Sequence, residues 1–383
     1  MRNLKKVLSI TAAAAMAVTA VAPVSVFAEG EAFKIGGIGP VTGGAAIYGT
    51  AVKNAIELAV NEVNAAGGLN GAQIEYKFED DEHDAEKSVN AYNTLKDWGM
   101  QMLIGTVTST PCIAVGAETA NDNMFQLTPS GSAVECIANP NAFRVCFSDP
   151  NQGIASAQYI GENGLASKVA VIYDSSDAYS SGIYMKFAEE AANQGIEIVA
   201  TEAFTADNNK DFSVQLQKAK DGGAELLLLP IYYTEASLIL SQANSMGLDV
   251  KFFGCDGLDG ILNVENFDTS LAEGVMLLTP FAADAEDEMT QAFVAAYEEA
   301  YGETPNQFAA DAYDAVYAIK AAGEKAGITP DMDASAICDA IAPAMTEITL
   351  DGLTGAGITW GEDGEPSKAP KAVVIEGGAY KAM

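Results

Sequence analysis

Residues 168–204 read KVAVIYDSSDAYSSGIYMKFAEEAANQGIEIVATEAF. A β-branched strand, KVAVIYD, runs into a polar turn. The amphipathic stretch SGIYMKFAEEAANQG follows, and a second strand, IEIVATEAF, comes after it. Two strands joined through a helix pair in parallel, with the helix laid across one face of their sheet. The unit repeats downstream as DFSVQLQKAKDGG, AELLLLPI, TEASLILSQANSMG and VKFFGCD.

Upstream lies an earlier series of the same kind. FKIGGIG reads as its first strand, and the following helix aligns Val52, Ile56, Val60 and Val63 on one stripe before stopping at Gly67-Gly68. IEYKFED is a second strand, a helix runs through Val89, Tyr92 and Leu95, and MQMLIG is a third strand. Two successive series imply an α/β protein of two lobes, each a mostly parallel sheet flanked by helices, with a cleft at the carboxyl ends of the strands. The last third adds helices at Glu288 to Tyr301, Gln307 to Lys325 and Ala334 to Met345, a Gly-rich polar stretch and the strand KAVVIEG. No low-complexity linker separates the lobes, so several ordered hinge crossovers are expected. Residues 31–149 plus 281–353 are assigned to lobe 1, and 150–280 plus 354–383 to lobe 2.

Residues 1–28 carry a basic head (Arg2, Lys5, Lys6), an apolar run and Val26-Phe27-Ala28, with small residues at positions −3 and −1, the pattern of an export signal. Pro23 and Ser25 interrupt a stretch already short for a bilayer span, and no later segment is apolar enough to cross. The chain is expected to be exported to a periplasm or an extracytoplasmic cell surface. About 355 mature residues suffice for two lobes with their own cores. The formal charge is −33, and loss of the signal removes three cations and no carboxylate. Such a surface repels phosphate backbones, which sets nucleic acid aside as a partner. Five cysteines (Cys112, Cys136, Cys146, Cys255, Cys338) lack the spacing of a zinc site or a redox pair, and an odd number leaves at least one thiol free.

Chemistry gathers where strands end. LIGTVTST and FQLTPSGS each run an apolar strand into a hydroxyl-rich turn, and Pro111 behind a Ser109 or Thr110 cap marks a helix N-terminus, an end that attracts anions. Asp256 closes the strand KFFGC at the cleft rim, where a ligand ammonium can pair with it. The glycine-rich GGIGPVTGGAAIYG fails both phosphate-loop signatures, since Thr42 stands where a third glycine is required and no GK[ST] occurs. It reads instead as a turn with close backbone approach. His83, in EDDEHDAE, is the only histidine. The acidic run lacks the turn glycine and spacing of a cation loop and reads as a solvated surface loop. One histidine excludes HExxH zinc chemistry and a triad with a histidine base, and no GxSxG elbow occurs. The chain reads as a binder with no cofactor and no metal, not as an enzyme.

The ordered segments GPVTGGAAIYG, AVNEVNAAGGLNG, EDDEHDAEKSV, LIGTVTST, LTPSGSA, FRVCFSDPNQG, VIYDSSDAYSSG, DFSVQLQKAK, YYTEA, FGCDG and AADAYDAV resemble the type I periplasmic binding proteins of ABC importers, most closely the branched-chain amino acid group. The resemblance covers nearly all of the mature chain. It implies a two-lobed monomer that closes around one amino acid and hands it to a membrane permease. It also implies that Ser109 and the Ser130-Gly131-Ser132 turn hold the ligand carboxylate and that Asp256 meets its ammonium. By the same resemblance Tyr179 and Tyr232 cover the ligand from the second lobe, while Tyr48, Val107 and Phe308 line its side chain. Two departures stand out: aspartate replaces the family's usual glutamate at position 256, and His83 and Thr108 occupy positions that a disulfide joins in enteric members. Thr108 thereby makes the expected pocket more polar.

Leucine, isoleucine or valine is the expected ligand. A second expectation is another small solute in the same fold: an aromatic amino acid, a short amide or urea. A third, an exported hydrolase using Ser109 or Ser132, lacks a base, and a receptor's sensing part lacks a span before the end at Met383.

Overall fold

The computed structural model describes residues 31–383, and the expected export signal lies outside them. The first series runs β1 (Phe33–Gly39), α1 (Ala46–Ala65), β2 (Ile74–Asp80), α2 (Ala85–Trp98), β3 (Met102–Gly105), α3 (Ser109–Asp122), β4 (Phe125–Thr128) and β5 (Ala142–Arg144). The second runs α4 (Asp149–Glu162), β6 (Lys168–Asp174), α5 (Ala178–Ala191), β7 (Glu197–Phe204), α6 (Ser213–Asp221), β8 (Leu226–Leu229), α7 (Tyr233–Ser245), β9 (Lys251–Gly254) and β10 (Met276–Thr279). Helices α8 (Glu288–Tyr301), α9 (Gln307–Ala326) and α10 (Ala334–Met345) then precede the hairpin β11 (Leu350–Gly352) and β12 (Gly355–Ile358), and β13 (Lys371–Glu376) and β14 (Ala379–Ala382) end the fold.

The strands form two large sheets, ordered β2-β1-β3-β4-β5 and β14-β13-β10-β9-β8-β6-β7. Every pairing in the first is parallel. In the second, β6 to β10 are parallel and only β13 and β14 are antiparallel additions. Each sheet therefore places its first strand between its second and third, and the chain reverses direction across the sheet there. Loops at the carboxyl ends flanking such a reversal splay apart and leave a crevice. The strands are buried on both faces, which is why β8 is the unbroken run LLLL and not an alternating pattern.

Local chemistry fixes where helices begin. Asp84 caps α2 by accepting from Lys87 N at 2.8 Å, Asp177 caps α5 through Ser180 N at 3.2 Å, and Asn306 caps α9 through Ala309 N at 3.1 Å. The glycines after β1 are demanded by packing. A Cβ on Gly39 would collide with the Val107 side chain, and one on Gly49 with the Pro40 carbonyl. That stretch is the close-packed turn its sequence implied.

Helix α9 packs on α1, and α10 packs against β3 and β4, which returns the chain after β10 to the first lobe. The boundary expected between residues 353 and 354 falls inside the β11–β12 hairpin, whose strands pair Leu350 with Ile358 and Gly352 with Gly355. The following segment is also anchored on the first sheet, with Trp360 Nε1 donating to Arg144 O at 2.7 Å and Arg144 N to Gly364 O at 3.1 Å. The chain joins the second sheet only at β13. A three-residue strand in Gly-rich sequence has too little apolar pattern to reveal which lobe holds it.

Candidate functional site

The carboxyl ends of both sheets face one another. After β3 come Thr106 to Ser109, after β4 the 130–132 turn, after β6 Tyr179 at the start of α5, after β8 Tyr232, and after β9 Asp256. Tyr48 from α1 and Phe308 from α9 complete the enclosure. All the residues expected at the site line one interlobe cavity except Gly131, and Gly257 joins them. Gly131 lies behind the wall, where its N–H donates to Thr128 Oγ1 at 2.7 Å and an added Cβ would sit 2.9 Å from Cys112 Sγ. The cavity is closed to about 10 Å³, room for about one water. A solute enters only when the lobes part or the aromatic side chains swing aside.

One wall supplies hydrogen-bond donors. Thr108 is the N-cap residue of α3, yet its side chain does not cap the helix. Pro111 has no N–H and Cys112 N already donates to Thr108 O, so the Ser109 and Thr110 N–H groups are the ones without a partner within the helix, and they keep the positive end of its dipole uncovered. Ser109 Oγ accepts from Ser132 N and Ala133 N, each at 3.2 Å. With both acceptor positions used, its hydroxyl proton is left to donate into the cavity. Ser130 differs, because its hydroxyl donates to Val107 O at 2.6 Å and can only accept from a solute. Beneath the turn lies Arg144, fully buried on β5. Its Nη1 donates to the carbonyls of Gly131 and Ser132, and its Nη2 stands 3.3 Å from Glu365 Oε1. The guanidinium fixes the turn and adds positive charge behind it. Nothing in the local sequence marked it, since FRVCF reads as an ordinary strand.

The opposite wall carries the acid. Asp256 is 4% exposed, and its Oδ1 is buried without a hydrogen-bond partner. Burial pushes the carboxyl up to about 7, although Tyr179 and Gln152 pull in the other direction. Its backbone is held from both lobes. The N–H donates to Gln152 Oε1 of α4, and the C=O accepts from Gln307 Nε2 of α9, each at 3.0 Å. Gln152 and Gln307 escaped the sequence reading because glutamines on helices carry no signal of long-range partners.

Aromatic rings fill the centre. Tyr179 and Tyr232 stack with centroids 5.0 Å apart, and Tyr48 lies 4.3 Å from Phe308. The Tyr48 hydroxyl reaches across the cleft, donating to Gly257 O and accepting from Tyr233 N. Ile47 N bonds Tyr233 Oη at 3.1 Å, and Thr234 Oγ1 bonds Gly44 O at 2.7 Å. This is a closed arrangement of the lobes.

The acidic loop departs from expectation. His83 leans into the cleft, its Nδ1 2.8 Å from Thr108 Oγ1 and its ring edge-on to Tyr232 at 5.4 Å. Asp81 beside it is fully buried. Burial lowers the pKa of His83, opposed by Asp177, Asp174 and Asp84. The loop is thus partly an interlobe wall, an arrangement that a run of consecutive acids in sequence does not distinguish from a solvated turn. Among the described residues no hydrogen bond joins His83 to Ser109 or Ser132, and no group of three His, Cys, Asp or Glu side chains is placed to hold a metal. All five cysteines are free and buried. Among the described residues no helix is long and apolar enough to cross a membrane.

The periplasmic binding protein family model matches residues 32–379. The leucine-, isoleucine-, valine-, threonine- and alanine-binding protein of Pseudomonas aeruginosa is 30% identical over 316 residues, covering 82% of this chain and 83% of the relative. The branched-chain amino acid transporter substrate-binding protein LivJ of Streptococcus pneumoniae, solved in complex with isoleucine, superposes with a TM-score of 0.83 at 29% identity, over 92% of this chain and 98% of that one. A solute-binding protein from R. palustris, solved in complex with benzoate, shares the fold at a TM-score of 0.82 and 21% identity, over 92% of this chain and 95% of that one. With its two-lobed architecture and donor and acceptor walls facing one cleft, the chain belongs to the periplasmic binding proteins, the non-enzymatic extracytoplasmic solute-binding components of ABC transporters.

Proposed function

We propose that the cleft captures an aliphatic α-amino acid, leucine, isoleucine or valine, as its zwitterion and delivers it to a membrane permease. The observation that carries this reading is the unpartnered, buried Oδ1 of Asp256, which shares a cavity with Ser109, whose hydroxyl proton is uncommitted. A buried carboxylate oxygen without a donor is costly, and a ligand ammonium satisfies it. The ligand carboxylate then takes the Ser109 hydroxyl and the Ser109 and Thr110 N–H groups at the start of α3, with Ser132 beside them. Val107, Tyr48 and Phe308 meet the side chain, while Tyr179 and Tyr232 cover the ligand from the second lobe. Charge-assisted hydrogen bonds contribute roughly 1.5–3 kcal/mol each, enough in combination for micromolar capture. One methylene discriminates by only about 1–3 kcal/mol, so related aliphatic amino acids compete.

The names of relatives support the amino-acid class, and the Pseudomonas protein's name extends it to threonine and alanine. A second reading, a small polar solute such as a short amide or urea, is favoured by the Thr108–His83 pair on the cavity wall. Calorimetric titration with the twenty amino acids, short amides and urea decides between them. Binding of leucine, isoleucine or valine below about 10 µM supports the first reading. Exclusive binding of an amide or urea supports the second, and no binding tighter than about 1 mM by any amino acid removes the first.

A further inference from the structure

A larger cavity lies away from the cleft, against the crossover that joins β10 to α8. It measures about 430 Å³ and opens to solvent, a size typical of small-molecule sites. Phe281 in the crossover, Val294 on α8, Leu262 in the turn after β9 and Tyr380 on β14 provide apolar walls. Its lining includes carboxylates and no lysine or arginine. Asp284 at the rim pairs with exposed Lys381 at 3.4 Å, and Glu298 accepts from Thr304 Oγ1 at 2.8 Å.

Asp259 is different. It is 5% exposed and lines the cavity; its Oδ2 accepts from Gln307 N at 2.9 Å, and its Oδ1 is buried without a partner. Burial raises its carboxyl to about 6, opposed by the Gln307 N–H, the Tyr380 hydroxyl and the Gly260 N–H. A buried carboxylate with one oxygen still lacking a partner favours a further donor, preferably a cationic one.

We propose that this hinge cavity is a second ligand site, which takes a small organic ammonium with its cationic head on Asp259 and its apolar body between Phe281, Val294 and Tyr380. The walls come from both lobes and from the crossover itself. An occupant that fits the open and closed forms unequally therefore shifts the balance between them. The inference does not depend on which solute the cleft binds.

Benzylammonium chloride, titrated into the mature protein by calorimetry and soaked into crystals, tests it. The expected result is saturable binding at about 1 mM or tighter, with the nitrogen within hydrogen-bonding distance of the Asp259 carboxylate and benzyl alcohol at least about tenfold weaker. Asp259→Asn should weaken binding about tenfold or more. Ala379→Trp, at an exposed position on the cavity wall, should do the same by filling the space if the variant remains folded by circular dichroism. Asp256→Asn should leave it intact. Absence of saturable binding, equal binding of benzyl alcohol, or loss in Asp256→Asn alone would overturn the proposal, the last by placing the amine in the cleft.

Discussion

Asp256 and Ser109 illustrate how much a single residue discloses. Their position at the interlobe cavity was legible because each follows an apolar strand at its carboxyl end, where an α/β fold exposes its loops. What the sequence concealed is which of their atoms are already committed. Ser109 keeps a proton to donate because two amides occupy its oxygen, whereas Ser130 has given its proton to Val107. Ser109→Ala is therefore expected to weaken amino-acid binding at least about tenfold, and Ser130→Ala to act chiefly through turn stability, as affinity and melting measurements would separate. Asp256 carries a pH dependence of fixed sign. Its folded carboxyl is raised to about 7 from 3.8, so its contribution to the stability of the uncomplexed fold is fully present below the unfolded value and is lost as pH rises through about 7. Ammonium binding requires the ionised form. Affinity should fall about tenfold per pH unit below about 7, and Asp256→Asn should bind at least about tenfold more weakly with that slope removed. Titrations across pH 5 to 8 check both, and a flat wild-type profile would contradict the assignment.

Elements with strong periodicity were readable, and short ones were not. Helix α1 declared itself by Val52, Ile56, Val60 and Val63, all buried, and the fully buried strands by unbroken aliphatic runs. The β11–β12 hairpin and the 3₁₀ turn at Asp256–Leu258 are too short for periodicity to register. Their place depends on distant partners such as Asp314, whose carboxylate accepts from Leu353 N and Thr354 N. Arg144 belongs to the same class, because its guanidinium joins β5, the serine turn and Glu365 across large sequence separations. Arg144→Met should destabilise the fold by about 3–5 kcal/mol, since it leaves Glu365 and two turn carbonyls without their charged partner. It should also weaken ligand binding. Chemical denaturation and calorimetry measure the two effects, and wild-type values in both would show that the serine turn stands without it.

For the whole molecule, the repeated strand order is what brings donors and acceptor together. Each sheet ends its strands toward the other, and closure joins the halves through Tyr48, Tyr233, Thr234 and Gln307. Tyr48→Phe leaves the Gly257 carbonyl and the Tyr233 N–H unpaired only when the lobes are closed, so it should weaken capture about tenfold with the melting temperature of the uncomplexed protein little changed. Small-angle scattering with saturating leucine should then show a more open average shape than wild type, and an unchanged profile and affinity would mean that the hydroxyl does not help to hold the cleft shut. The most direct measurement is a crystal structure with bound leucine. The account predicts the ammonium on Asp256 Oδ1 and the carboxylate on Ser109 Oγ at the N-terminus of α3; leucine bound elsewhere, or bound in the cleft with Asp256 turned away from it, would contradict the account.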